Sequence, residues 1–178
     1  IIYNGSNGST YADELIINNC VNNGEIEGDT VAGIIGNSSG NLKLSDCENN
    51  GAINGRYSAG GIAQCIENKN SNEAEVSNCI NNGNVFGGAE AAGIIDYAEG
   101  ITVTNCINNG NISSNGYVGG IFSYTSSVKG TGLVNNGKIS GLEDIGGISA
   151  YDEGNSIFSK LYNTGVIDEE NIGAQVSN

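Results

Sequence analysis

The sequence predicts an all-β fold, a parallel β-helix or solenoid of about six coils with three short strands per coil, and three observations point to it. The first is a repeat: Cys-x-Asn-Asn-Gly-x-(Ile/Val) stands at Cys20–Ile26, Cys47–Ile53, Cys79–Val85 and Cys106–Ile112. Two variants with Leu for Cys follow, at Leu133–Ile139 and Leu161–Ile167. Their glycines, Gly24, Gly51, Gly83, Gly110, Gly137 and Gly165, are spaced 27, 32, 27, 27 and 28 residues apart. A fixed period of this size belongs to stacked units, none of which can bury its apolar face alone. The second observation is apolar alternation at the two-residue strand period. The third is the lack of any window with the 3.6-residue pattern or the length of a helix.

Each coil reads in the same order. The first strand carries paired apolar residues nine and seven positions before the Gly: Leu15 and Ile17, Leu42 and Leu44, Ala74 and Val76, Ile101 and Val103. A Cys or Leu follows at four before it. The second strand is marked two after the Gly by Ile26, Ile53, Val85, Ile112, Ile139 or Ile167. After a turn of small residues comes the third, opened by Gly33-Ile34, Gly61-Ile62, Gly93-Ile94, Gly120-Ile121 or Gly147-Ile148. Parallel rungs lie about 4.8 Å apart, so six coils would span on the order of 29 Å. Right-handed winding is the expected hand of parallel crossovers. A leucine-rich repeat is the main rival, since LKLSDC at Leu42–Cys47 mimics its consensus. It needs a further Leu where this chain has Asn22, Asn49, Asn81 and Asn108, and a return stretch that is not glycine-rich.

The whole of 1–178 reads as one continuous array. Because Ile1-Ile2 matches Ile34-Ile35 and Ile94-Ile95, the chain starts in mid-repeat, and a fragment of a longer protein is expected. Six basic against 20 acidic residues give a net charge of −14, which repels phosphate backbones and anionic membranes, so nucleic acid is not an expected partner. Twenty-nine glycines and no proline suggest disorder, but recurrent apolar positions argue against it.

Asn22, Asn49, Asn81, Asn108, Asn135 and Asn163 recur two before the Gly. Asn tolerates left-handed backbone and bonds to its own turn, and in register its amide reaches the next, so a structural Asn ladder is expected. Cys20, Cys47, Cys79 and Cys106 share one position with Leu133 and Leu161, which reads as a buried row of small apolar thiols. Disulfides between neighbouring rungs stay open at that spacing. With no His and no C-x-x-C, a metal centre is not expected. Cys65 aligns with Tyr97, Tyr124 and Tyr151, an aromatic column that is the candidate ligand-binding row for a glycan, or else simple packing. Val21, Ile80, Ile107, Val134 and Tyr162, interrupted by Glu48, read as an outward apolar ridge, an interaction surface unless flanking domains of the same parent chain cover it.

Catalysis would have to come from the carboxylates. The longer repeat between Gly51 and Gly83 holds Glu67, Glu73 and Glu75, and a glycosidase would need two carboxyls about 5 to 10 Å apart across a groove. A single Arg, Arg56, and no His leave little to help an acidic substrate, so no enzyme and no cofactor are expected. Calcium at the acidic turns Asp152-Glu153 and Asp168-Glu169-Glu170 is the one cofactor alternative, without an EF-hand loop to support it.

Gly33-Ile34-Ile35-Gly36, with VGGIFSYTSSV at Val118–Val128 and TVTNCINNGNISS at Thr102–Ser114, resembles GLUG-type repeats. The closing Gly survives only at Gly36 and becomes Gln64, Asp96 or Ser123 elsewhere. Such repeats occur in large secreted or surface-attached bacterial proteins, including adhesin-like proteins and non-catalytic regions of immunoglobulin A proteases. The resemblance implies an extracellular or cell-surface bacterial setting, a non-catalytic display role in adhesion, and a host glycan or host surface protein as partner. A spacer region of a secreted protease and a carbohydrate-active β-helix, lyase or hydrolase, are the alternatives.

Overall fold

A computed structural model describes residues 2–4, 14–68, 74–169 and 176–177; Ile1, Glu73 and Glu170 of the sequence reading lie outside the described residues. Every described element is a strand, and every strand pairing is parallel between successive coils. The chain is a β-solenoid of about six turns, as the period requires.

Four sheets run along the stack. Sheet A joins Leu15–Asn18, Leu42–Ser45, Glu75–Ser77, Thr102–Thr104, Lys129–Thr131 and Ile157–Ser159. Sheet B is made of two-residue strands, from Val21–Asn22 through Ile107–Asn108 to Tyr162–Asn163. Sheet C has ten strands: Ile26–Ala32 and Ile53–Gly60 run through as single strands, whereas later coils split into pairs such as Val85–Gly87 and Glu90–Ala92. Sheet D joins Ile2–Asn4, Ile35–Ser39, Ala63–Glu67, Ile95–Glu99, Phe122–Ser126 and Ser149–Asp152. The three strands read from each repeat are therefore sheets A, C and D. Sheet B is the addition, because its two residues at the Asn corner are too few to show a period.

Left-handed backbone is found three residues before the expected place. The residues at φ near +55° just before the Cys row are Asn19, Asp46, Asn78 and Asn105, and Gly132 continues the row at +66°. Asn and Asp are the side chains that tolerate this region, which explains the choice at this corner. The Asn row two before the Gly is instead extended, within sheet B.

Two apolar clusters fill the tube. The larger takes Leu42, Leu44, Val76, Val103, the Cys row from Cys47 to Cys106 with Leu133, and Ile62, Ile94 and Ile121. The smaller lies between the two halves of sheet C, Ile53, Val85, Ile112 and Ile139 against Ala59, Ala91, Val118 and Ile145. Between them the wall is thin. A Cβ on Gly93 would stand 2.2 Å from the Gly120 carbonyl oxygen and 2.5 Å from Asn108 Cγ, so only Gly fits against the Asn row. The same holds for the repeat Gly: a Cβ on Gly110 would meet the Gly83 carbonyl oxygen at 1.9 Å.

Candidate functional site

The inner Asn row is an unbroken amide ladder. Nδ2 of Asn22 donates to Asn49 Oδ1 at 2.7 Å, Asn49 to Asn81 at 2.7 Å, Asn81 to Asn108 at 2.8 Å, Asn108 to Asn135 at 2.7 Å and Asn135 to Asn163 at 2.8 Å. The second Nδ2 hydrogen is given to the carbonyl of the Gly two residues on, as Asn108 gives to Gly110 at 2.8 Å. Asn49, Asn81, Asn108 and Asn135 are fully buried, and both hydrogens of each amide are used, which is what burial of a polar group demands.

A second ladder, which the sequence reading missed, runs outside. Asn50 donates to Asn23, Asn82 to Asn50, Asn109 to Asn82 and Asn136 to Asn109, at 2.8–3.0 Å, and Thr164 closes the row on Asn136. These donate toward the N-terminal coil, opposite to the inner row. The signal was present: the second Asn of the motif recurs in five of the six repeats, with Thr164 in its place in the last.

The Cys row is where the sequence placed it. All five cysteines are free thiols, and Cys47, Cys79 and Cys106 are buried. Each thiol of the row donates to the carbonyl two residues before it, Cys79 to Ser77 at 3.3 Å for example. The neighbouring thiol of Cys79, then burial, holds Cys47 well above the usual thiol range, and Cys106 with burial pushes Cys79 up to about 12. Thiols so held stay protonated and unreactive.

The tyrosines do form a column. Cys65, Tyr97, Tyr124 and Tyr151 are register partners along sheet D. The rings of Tyr97 and Tyr124 stack at 4.6 Å and 7°, and those of Tyr124 and Tyr151 at 5.4 Å and 29°. Ring faces are therefore spent on one another, and the open end of the stack is Tyr151, which is 43% exposed. The hydroxyls are anchored as well, Tyr97 to Glu99 at 3.2 Å and Tyr124 to Glu153 at 2.6 Å. Burial raises the Tyr97 hydroxyl above its ordinary value, and the bond to Glu153 pushes Tyr124 up to about 12.

Beside this column sheet D folds back against sheet C in a polar crease. Gln64 Nε2 lies 3.2 Å from both Ser58 Oγ and Asp96 Oδ2, and Tyr117 meets Tyr151 at 5.9 Å. Asp96 is wholly buried here, and burial pushes its carboxyl up to about 7 against the bonds from Ser123 and Gln64; Glu90 adds a smaller upward push. Glu90, itself partly buried, is raised for the same reason. The column containing them is Gly36, Gln64, Asp96 and Ser123, the place where the closing Gly of the repeat is lost.

The remaining candidates are dispersed. Glu67 and Glu75 stand on different sheets, D and A. Asp152 Oδ1 is within hydrogen-bond distance of the hydroxyls of Thr125 and Ser156, Glu153 receives Tyr124, and Asp168 pairs with Lys138 at 2.5 Å. Among the described residues no three or more Cys, Asp or Glu side chains come together as a metal site. The ridge points outward, Val21 being 55% and Tyr162 59% exposed, with Ile80, Ile107 and Val134 half-buried between them. A shallow open pocket of about 470 Å³ on sheet C is lined by Glu27, Asn54, Arg56 and Phe86 with two glycines. No family model matches the chain, and no curated protein is significantly similar to it.

Proposed function

We propose that this chain is a non-catalytic structural and display module of an extracellular bacterial surface protein, serving adhesion or ligand presentation. The observation that supports it most is the pair of opposed amide ladders, which tie every coil to the next at a constant spacing along the whole stack. A body so cross-linked along its axis carries side chains at fixed intervals, which suits a rigid spacer that holds a surface outward. The acidic surface, at −14, suits solubility of an exposed rod, and the resemblance to GLUG-type repeats supplies the setting. Flanking domains of the parent chain are its covalent partners in this reading, and a host glycan or host surface protein is the ligand.

Where a sugar would sit follows from ring access. Tyr97 and Tyr124 cover each other, so within that column the ring surface left for a pyranose is the far face of Tyr151. Elsewhere Tyr57 and Tyr162 expose their rings, and the Phe86 ring, 42% exposed, is set in a pocket beside Glu27, Asn54 and Arg56. Catalysis is disfavoured because the carboxyl with the most useful proton affinity, Asp96, has no exposed surface with which to touch a substrate.

The test is a glycan array and host-cell binding assay with the wild type, Tyr151→Ala and Phe86→Ala, each checked for an unchanged far-ultraviolet spectrum. Retention that one of the two substitutions removes supports display. Retention on no surface favours the protease spacer, and release of new reducing ends or unsaturated sugars from polysaccharides would establish the carbohydrate-active alternative.

A further inference from the structure

We propose that Asp96 is a protonation-controlled lock on the crease between sheets C and D, closing it as a neutral acid and loosening it on ionisation. The argument begins with hydrogens. Ser123 Oγ lies 2.6 Å from the Asp96 carbonyl oxygen and also touches Asp96 Oδ1. One hydroxyl has one hydrogen, so an ionised Asp96 leaves one of these two oxygen pairs with none between them. A proton on Oδ1 resolves both: Oδ1–H donates to Ser123 Oγ, and Ser123 Oγ–H donates to the Asp96 carbonyl. Oδ2 then accepts from Gln64 Nε2, whose amide also reaches Ser58 on the facing sheet. Ser123, Gln64 and Ser58 can each donate to an ionised Asp96, but only the neutral form places a hydrogen in both contacts of the Ser123 hydroxyl.

The surroundings agree. On the facing sheet, Glu90 adds negative charge, Tyr117 stands one coil further on, and Arg56 is engaged by Asp29 at 2.9 Å. On its own strand are Tyr97 and Glu99, on one neighbouring strand Cys65 and Glu67, and on the other Tyr124. The charge that acts on Asp96 is thus of its own sign, and with complete burial it favours the proton up to about pH 7.

The sign of the linkage is the reverse of an ordinary salt-bridged carboxylate. The folded state keeps the proton to about pH 7 and the unfolded chain releases it near 3.8, so the lock is fully favourable only in acid. Stability falls as pH rises between these values and levels off above. Three pKa units correspond to roughly a thousandfold change in the folding equilibrium.

Asp96→Asn tests this, because a carboxamide copies the neutral acid: Nδ2 donates to Ser123 and Oδ1 accepts from Gln64. Thermal unfolding of the full chain is followed from about pH 4 to about pH 8. The wild type is expected to lose melting temperature across this range relative to the variant, and the two to converge at the acid end. Parallel curves overturn the proposal. Carboxyl carbon-13 NMR of the wild type reads the same group without a substitution. A titration midpoint near 7 supports the lock, and one in the ordinary carboxylate range refutes it.

Discussion

Two rows of the same amino acid, at consecutive positions of each repeat, meet opposite fates. Asn49, Asn81, Asn108 and Asn135 are buried and give both amide hydrogens away, one along the axis and one to a Gly carbonyl. Asn50, Asn82, Asn109 and Asn136 bond along the axis just as well, but in water. An exposed hydrogen bond exchanges with solvent at little net gain, whereas a buried amide deprived of partners carries its full desolvation cost. Regularity in a sequence therefore marks geometry; burial decides how much each row contributes to stability.

The largest break in this comparison is expected from Gly93→Ala. Its methyl would have to displace the Gly120 carbonyl and the inner Asn row together, at a cost of about 3 kcal/mol or more in urea unfolding. An unchanged midpoint would mean the coil walls are not in this contact. Asn108→Ala comes next, at about 2–4 kcal/mol, since it strands the Gly110 carbonyl and opens the ladder on both sides. Cys106→Leu follows at about 1–3 kcal/mol through overpacking. Leu133 is accommodated one coil on because Gly130, not Val, stands opposite; a Cβ there would lie 2.9 Å from Leu133 Cδ1. Adding Val103→Ala should recover part of the loss, and failure to do so would show the two sites are not coupled. Smallest is Asn109→Ala, within about 0.5 kcal/mol of wild type, as for a solvated surface change.

Much of this fold could be read from the residues. The repeat Gly, the inner Asn row and the Cys row were visible because each recurs at a position facing the next coil: the Gly where no Cβ fits, the Asn where a buried carbonyl needs a donor, and the Cys, or Leu133, where a modest apolar side chain is buried. What escaped had no such uniqueness. The outer Asn row was hidden by its own neighbour, since one Asn of each pair already explained the motif. The left-handed corner at Asn19, Asp46, Asn78 and Asn105 varies in residue type, because the backbone there asks only for tolerance of positive φ. Asp96 was seen, but as a lapse from the Gly of the repeat. Only the folded crease shows that Gln64, Asp96 and Ser123 replace that Gly with a connected polar brace. The tyrosine column was foreseen as a row, yet its use was not legible, because register alone does not say whether ring faces meet each other or the solvent.

Side-chain amide exchange read by NMR tests the central claim most directly. Transferred into heavy water, the Nδ2 hydrogens of Asn49, Asn81 and Asn108 should persist long after those of Asn50, Asn82 and Asn109 have vanished, although both rows are hydrogen-bonded at similar distances. Equal exchange in the two rows would contradict an in-register stack closed over a buried ladder.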